Sequence, residues 1–407
     1  MKTNRKLKSL ITVALLSSLS SFIFINTATA STEDNVKGAK ILAPEVSASD
    51  AKASFWDMSY LNKAFIDTRP SDRKDGITVG DLVANGGNKA MILQLAQEIA
   101  DKKHGKYDSL LIARHGKLIF ESYYLRGRVN QPHFQASATK AYTSLVVGRA
   151  IQLGYLTIAD LDKPVLSFLK GLNPTKFVAG VEKITLHKAM TMSSGFRFTE
   201  EQLKNFRENP NKYKGLNQIQ AFLELSAPIT SESQSFKYQG ADPTIVMQVL
   251  DAVVPGSAKD FIKNELLDKI GINTYKWRND LDGLPLAGER SSMTSRDMIN
   301  LGSLIINKGK WHGEQLISAK YLASATSGIT KATENWQPDS FNYGYFWYQT
   351  DMKIKDKNYD ANIAWGSGGQ HIITFEELDL TIVITGHDRE DTILAQVSKN
   401  ILPAFVK

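Results

Sequence analysis

Ser137-Ala138-Thr139-Lys140 puts a hydroxyl and a primary amine three residues apart at the head of the run QASATKAYTSLVVGRAIQL (135–153), which Gly154 closes. Small and aliphatic residues recur through that run at helical spacing, and the glycine is a stop signal. With about 3.6 residues per turn, positions i and i+3 lie on one face, one turn apart, so Lys140 can reach the Ser137 oxygen. Ala136, Ala138, Ala141 and Leu145 around the pair imply a dry setting, which disfavours the ammonium form. An uncharged amine can take the hydroxyl proton and turn serine into a nucleophile. Ser137 also suits a helix N-cap or first-turn position, and the two roles are compatible.

The same spacing occurs at Ser49–Lys52, Ser71–Lys74 and Ser167–Lys170, so context must separate the matches. The first two lie in polar sequence rich in Asp and Lys, where the amine stays charged and hydrated. Ser167 follows Pro164 in an amphipathic stretch that turns Lys170 to solvent. Only Ser137 heads a long apolar helix.

A serine–lysine pair needs a second proton relay, an oxyanion hole and a substrate wall. Tyr238-Gln239-Gly240 precedes a helix opened by Asp242 as N-cap and Pro243 at the first helical position. A phenol on such a loop can pass a proton to a leaving group, although any one of fourteen tyrosines is more often packing. Trp365-Gly366-Ser367-Gly368-Gly369-Gln370 is glycine-rich and runs into a strand, where glycines let a substrate approach a sheet edge. A main-chain N–H there, paired with that of Ser137, makes an oxyanion hole; a plain hairpin connection explains the same glycines. Trp365, Gly368, Gly369 and Gln370 are then candidates for the substrate cleft. Other schemes lack their residues. No serine sits in G-x-S-x-G. The seven histidines show no H-x-x-x-H spacing, so neither a metal nor another cofactor is expected, and His133 reads as structural.

The elements that must hold these groups follow from pattern. Lys2, Arg5, Lys6 and Lys8, the apolar stretch Leu10–Ile25 and Ala28-Thr29-Ala30 read as a cleaved secretion signal over 1–30, hence a periplasmic or secreted protein with no membrane span in its mature form. Four of the seven net positive charges belong to that segment, and the small remainder argues against nucleic acid as a partner. The expected partner is a small-molecule or peptide substrate; nothing in the pattern specifies an oligomer. Residues 31–85 read as a surface extension and 86–407 as the main domain. Within it, a helix over 88–104 and a hairpin (110–114, 117–124) precede the Ser137 helix. Helical patterns dominate 155–335, at 216–225, 243–253, 258–268 and 295–307. Strand character returns at 341–350, 371–375 and 380–386, before a last helix over 390–400. Strands at both ends with helices between predict one sheet built from both termini, an α/β chain of the α+β type.

Ser137-x-x-Lys140, Tyr238 about one hundred residues on and a glycine box leading into a C-terminal strand together resemble the penicillin-recognising serine hydrolases. That superfamily includes class C β-lactamases, D-alanyl-D-alanine carboxypeptidases, related esterases and nylon-oligomer hydrolases. ITLHKAMTMSSG (184–195), SSMTSRDMINLGSLIINKGKW (291–311) and GSGGQHIITFEELDLTIVITG (366–386) extend the likeness, the last two being closest to the nylon-oligomer-hydrolase-like branch. The resemblance implies an antiparallel sheet flanked by helices beside an inserted helical domain, with Ser137 acylated, Lys140 its base and Tyr238 the relay. The family's third box is usually Lys-Thr-Gly followed by the oxyanion residue. With Gly366 as the box glycine, Ser367 supplies the N–H; with Gly368, Gly369 does; the first alignment is favoured. Neither puts a lysine in the box, Gly240 replaces a polar second-box residue, and the S-D-N signature is absent. Arg197 or His371 could restore the missing charge. The expectation is an exported serine hydrolase of an ester or amide. The alternatives are a D-alanyl-D-alanine carboxypeptidase or β-lactamase acting on cell-wall peptides or β-lactams, and a non-catalytic binding protein of the same fold.

Overall fold

The computed structural model describes residues 41–47, 50, 54–388 and 391–406. The segment read as a secretion signal and the Ser49–Lys52 pair lie outside them. From Leu42 onward the chain forms one unit. Its centre is a nine-stranded sheet made of β1 (Phe65–Asp67), β2 (Tyr107–Arg114), β3 (Lys117–Tyr123), β4 (Thr330–Lys331), β5 (Asn342–Tyr343), β6 (Tyr348–Ile354), β7 (Lys357–Gly366), β8 (Gln370–Phe375) and β9 (Leu380–Gly386). The strand order is β1-β3-β2-β9-β8-β7-β6-β5-β4, with every pair antiparallel. Segments from both ends of the chain thus meet at the β2–β9 pair, and the helices are inserted between them.

Local chemistry fixes the hairpins. His115 (φ 51°) and Gly116 (φ 67°) form the two-residue turn between β2 and β3, the left-handed pair that matches strand twist. The β8 and β9 strands carry the apolar runs Ile372-Ile373 and Ile382-Val383-Ile384, all fully buried because helices cover the sheet. Helix Ser295–Ile306 packs across β9, β8 and β2. It starts in a capping box in which Thr294 and Asp297 satisfy each other's main-chain N–H.

Three expectations change. The aromatic stretch 341–350 is two strands, because the chain turns at Gly344–Trp347 with Phe346 at φ 63°; its rings fill the core. The last helix is short, Ile393–Gln396, and passes into wider and then tighter turns up to Ala404. The helix after Tyr238 runs Ala241–Val253 with Gly240 as N-cap. Asp242 is therefore inside its first turn and fully buried.

Beneath the sheet, Arg296 is 3% exposed and holds two carboxylates. Its Nη1 donates to Glu121 Oε2 at 2.9 Å, and its Nε and Nη2 donate to Asp75 at 2.5 and 3.2 Å. Glu121 also accepts from the Tyr123 hydroxyl at 2.7 Å. This network ties the 68–82 segment to both β3 and the covering helix. Removing one partner of a buried pair strands the other charge, at about 3–5 kcal/mol. Arg296→Ala is therefore expected to lower the unfolding free energy by that amount in urea titrations; a loss below 1 kcal/mol would show that water reaches Glu121.

Candidate active site

Two short elements set up the Ser137 turn. A three-stranded sheet (His133–Phe134, Lys276–Trp277, Ser291–Met293) brings the chain to Gln135, whose N–H donates to the Ser291 carbonyl at 2.9 Å. Ala136 then adopts φ 46°, a left-handed conformation disfavoured for a residue with a Cβ. It begins the tight turn Ala136–Ala138 that opens helix Thr139–Gln152. Thr139 locks the turn, its hydroxyl donating to the Ala136 carbonyl at 2.7 Å and lying 2.8 Å from the Ser291 hydroxyl. Every residue from Thr139 to Ala150 is buried, so the helix is clamped all round.

Lys140 is 5% exposed. Its Nζ lies 3.0 Å from Ser137 Oγ, 2.7 Å from the Gly288 carbonyl and 4.8 Å from the centre of the Tyr238 ring. Among the described residues no carboxylate pairs with it. Lys74, by contrast, is bound to Asp72 at 2.6 Å with its side chain 87% exposed, and Ser167 donates to the Pro164 carbonyl. Of the described S-x-x-K pairs, only Ser137–Lys140 is joined side chain to side chain.

Tyr238 is half-buried. Its main-chain N–H donates to Glu334 Oε1 at 2.8 Å, and its ring packs edge-on against Trp336 and Tyr343. Tyr348 stands beside it; burial and the neighbouring Tyr238 push the Tyr348 phenol well up, so it stays neutral.

The glycine box is the turn of the β7–β8 hairpin. A Cβ on Gly366 would stand 2.1 Å from the Gln135 carbonyl and 3.1 Å from the Ala138 nitrogen. Only glycine lets β7 press against the Ser137 turn so closely. The β6–β7 ladder ends at Tyr348–Ile363, so Ala364–Gly366 have no strand on that side. A cleft of about 710 Å³ opens there, walled by Ser137, Tyr238, Trp365, Ser367 and Gly368 among others. Neither the Ser137 nor the Ser367 N–H has a main-chain acceptor among the described residues. Gly369 and Gln370 turn into the sheet instead: Gly369 packs on Tyr107, and the Gln370 amide brackets the main chain of Gly386.

Residues 94–392, well over half of the chain, match the family model for beta-lactamase. The chain belongs to the beta-lactamase family. It is thereby an enzyme, a serine hydrolase of that family. No curated protein sequence matches it. Among solved structures it is similar to a Bacillus anthracis protein provisionally named a 6-aminohexanoate-dimer hydrolase, at 18% identity and TM-score 0.60, covering 84% of this chain and 90% of that one. It also resembles a penicillin-binding protein homologue from Caulobacter crescentus (12% identity, TM-score 0.60, 80% and 98% covered). A class C beta-lactamase is a third likeness (14% identity, TM-score 0.58, 78% and 96% covered). At such identities these likenesses establish fold alone.

In this beta-lactamase-family site the usual third-box lysine has no stand-in among the described residues lining the cleft. Ala364 is fully buried and Trp365 lines the cleft. Arg197 spends its guanidinium on the Phe196 carbonyl and on Ser235. His371 is fully buried, stacked under Trp365 at 5.8 Å, with Nε2 on Asp391. His133, close to Ser137 in sequence, turns away to the buried Asp108. Three contributors escaped the sequence reading: the Gly288 carbonyl, Trp336 and Asp391. A peptide carbonyl leaves no residue-type signal, and Trp336 and Asp391 stand in loops without periodicity.

Asp242, behind Tyr238, is fully buried, and burial raises its carboxyl to about 7 against hydrogen bonds from Ser194 and from Gln239 at 3.3 Å. The folded state therefore holds this proton between about pH 4 and 7 while the unfolded chain has lost it. Stability is largest below the unfolded value and falls as pH rises through about 7. Asp242→Asn is expected to flatten that decline, raising Tm at pH 8 more than at pH 4.5. Equal shifts at both pH values would mean Asp242 is ionised in the fold.

Proposed function

We propose that the protein is an exported serine hydrolase that cleaves an ester or amide through an acyl-enzyme on Ser137. The observation that carries the reading is the Lys140 Nζ, 3.0 Å from Ser137 Oγ, buried and without a carboxylate partner among the described residues. In the neutral amine the hydrogen bond runs from the Ser137 hydroxyl to Nζ, while Nζ donates to the Gly288 carbonyl. Oγ attacks the substrate carbonyl as Nζ takes its proton. The Ser137 and Ser367 N–H groups hold the oxyanion. Tyr238, in contact with Nζ through its ring, hands a proton to the leaving group. Water then attacks the acyl-enzyme by the reverse relay and frees Ser137. Export rests on the basic, apolar and A-x-A pattern of residues 1–30.

Neutral substrates fit this cleft better than carboxylates. Without the third-box lysine, a charge-assisted hydrogen bond of about 1.5–3 kcal/mol is lost to carboxylate-bearing substrates. Trp336, Trp365, Pro338 and Leu394 offer apolar walls instead. Neutral short-chain esters or amides are expected to exceed a chromogenic cephalosporin in kcat/KM by at least tenfold; a cephalosporin proving the better substrate would contradict the reading. Lys140→Arg keeps the charge but supplies no base, and should cut kcat about a hundredfold or more on the best ester. Turnover near wild type would mean that another group activates the serine.

A further inference from the structure

The mechanism leaves the Tyr348 hydroxyl unused, although Tyr348 lines the same cleft as Ser137 and Tyr238. It opens β6 and pairs with Ile363 of β7, so its backbone is held in the sheet. Its ring packs on those of Tyr343, Trp365 and Phe341, at 4.7, 5.5 and 5.9 Å between centroids, and the residue is 3% exposed. The hydroxyl therefore cannot swing out to solvent. Tyr238 is near enough to act on it both by charge and by hydrogen bonding. Burial, with charge on Tyr238 and Glu334, disfavours a Tyr348 phenolate, so Tyr348 keeps its proton.

Gln337 decides where that proton goes. It lies in the loop between β4 and β5 and is 6% exposed. Its Oε1 accepts from the Glu334 N–H at 3.1 Å, and its Nε2 donates to Tyr348 Oη at 2.8 Å. The amide cannot be turned round: a main-chain N–H only donates, so the end facing it must be the oxygen. The NH2 end is then forced onto Tyr348, whose oxygen must accept. The same turn is closed by the Gln337 N–H on the Glu334 carbonyl at 2.9 Å, and Glu334 Oε1 in its turn holds the Tyr238 N–H. With Gln337 as the donor, the Tyr348 O–H is left for Tyr238, the other hydrogen-bonding side chain beside it.

We propose that Tyr348 is a positioning residue for the proton relay: aimed by Gln337, its hydroxyl donates to Tyr238 Oη and supports the negative charge that Tyr238 acquires on protonating the leaving group. This rests on the hydrolase reading and deepens it. In acylation the Ser137 Oγ–H bond breaks, and its proton goes to Lys140 Nζ as Oγ bonds the carbonyl carbon. The bond to the leaving group then breaks, and that group takes the Tyr238 proton. Tyr238 is a phenolate between the Lys140 ammonium and Tyr348 until Nζ returns a proton to it. A hydrogen bond donated to an anion is stronger than one donated to a neutral phenol. Tyr348 therefore helps most where proton transfer to the leaving group is furthest advanced.

Leaving-group dependence tests this on the full protein. Ethoxide must be protonated to leave, whereas p-nitrophenolate leaves as the anion. For ethyl and p-nitrophenyl butyrate, kcat/KM reports the acylation step. Tyr348→Phe keeps the ring and removes the hydroxyl. It should lower kcat/KM about ten- to a hundredfold on the ethyl ester, the worth of a hydrogen bond to a charged group, and less than about threefold on the p-nitrophenyl ester. Gln337→Glu puts an acceptor where the amide donates, draws the Tyr348 proton to itself and should change the ratio in the same direction. That ratio is independent of how much of a variant folds, which separates a lost relay from lost structure. A Tyr348→Phe ratio within about twofold of wild type would overturn the proposal, and so would a wild-type ratio in Gln337→Glu. Should Gln337→Glu fail to fold, Tyr348→Phe alone decides. A wild type that turns over neither ester would refute the hydrolase reading and the relay with it; wild-type turnover with an unchanged ratio would refute the relay alone.

Discussion

A buried amine with no counter-ion among the described residues is the constraint around which this molecule is arranged. Ordinary lysines at such burial find a carboxylate; Lys140 has a hydroxyl, a peptide carbonyl and the face of a phenol ring. Each of those groups is fixed by a different part of the chain. The hydroxyl sits on a turn that needs a left-handed alanine, the carbonyl comes from the loop before the 291–293 strand, and the phenol belongs to a loop held by Glu334. A dry, fully enclosed helix keeps the amine from solvent, and the small sheet around Ser291 keeps the turn from relaxing.

The large sheet serves that arrangement by bringing one hairpin turn to the serine. Gly366 permits contact at main-chain distance, so the free N–H of Ser367 arrives beside the Ser137 turn. The early end of β6–β7 pairing leaves the cleft open on the far side. Where the family usually offers a lysine to an anionic substrate, this chain has an alanine sealed in the core and a tryptophan wall.

Much of this was readable in the chain because it is periodic or local. The S-x-x-K spacing acts within one helical turn, and the apolar runs of β8 and β9 and the His115-Gly116 turn are local too. Sheet order from both termini followed from the distribution of strands and helices. What was not readable depends on distant segments meeting. The Asp242-Pro243 pair has the signature of a helix start, yet the helix begins two residues earlier, at Ala241, and Asp242 is drawn inward with Gln239 and Arg197 nearby. The aromatic run 341–350 has strand propensity throughout, but core packing of Trp347 and Tyr345 bends it at Gly344–Trp347. Gln370 looks like a cleft residue by position, and only the neighbouring strand shows that its amide is consumed by Gly386.

The central claim is that Ser137 is the nucleophile and that Lys140 activates it. Intact-mass spectrometry after brief exposure to a fluorophosphonate, followed by peptide mapping, tests both at once. One adduct per chain is expected, on the peptide containing Ser137, absent in Ser137→Ala and formed far more slowly in Lys140→Arg. An adduct at Ser49, Ser71 or Ser167, or labelling of Lys140→Arg at the wild-type rate, would contradict the account.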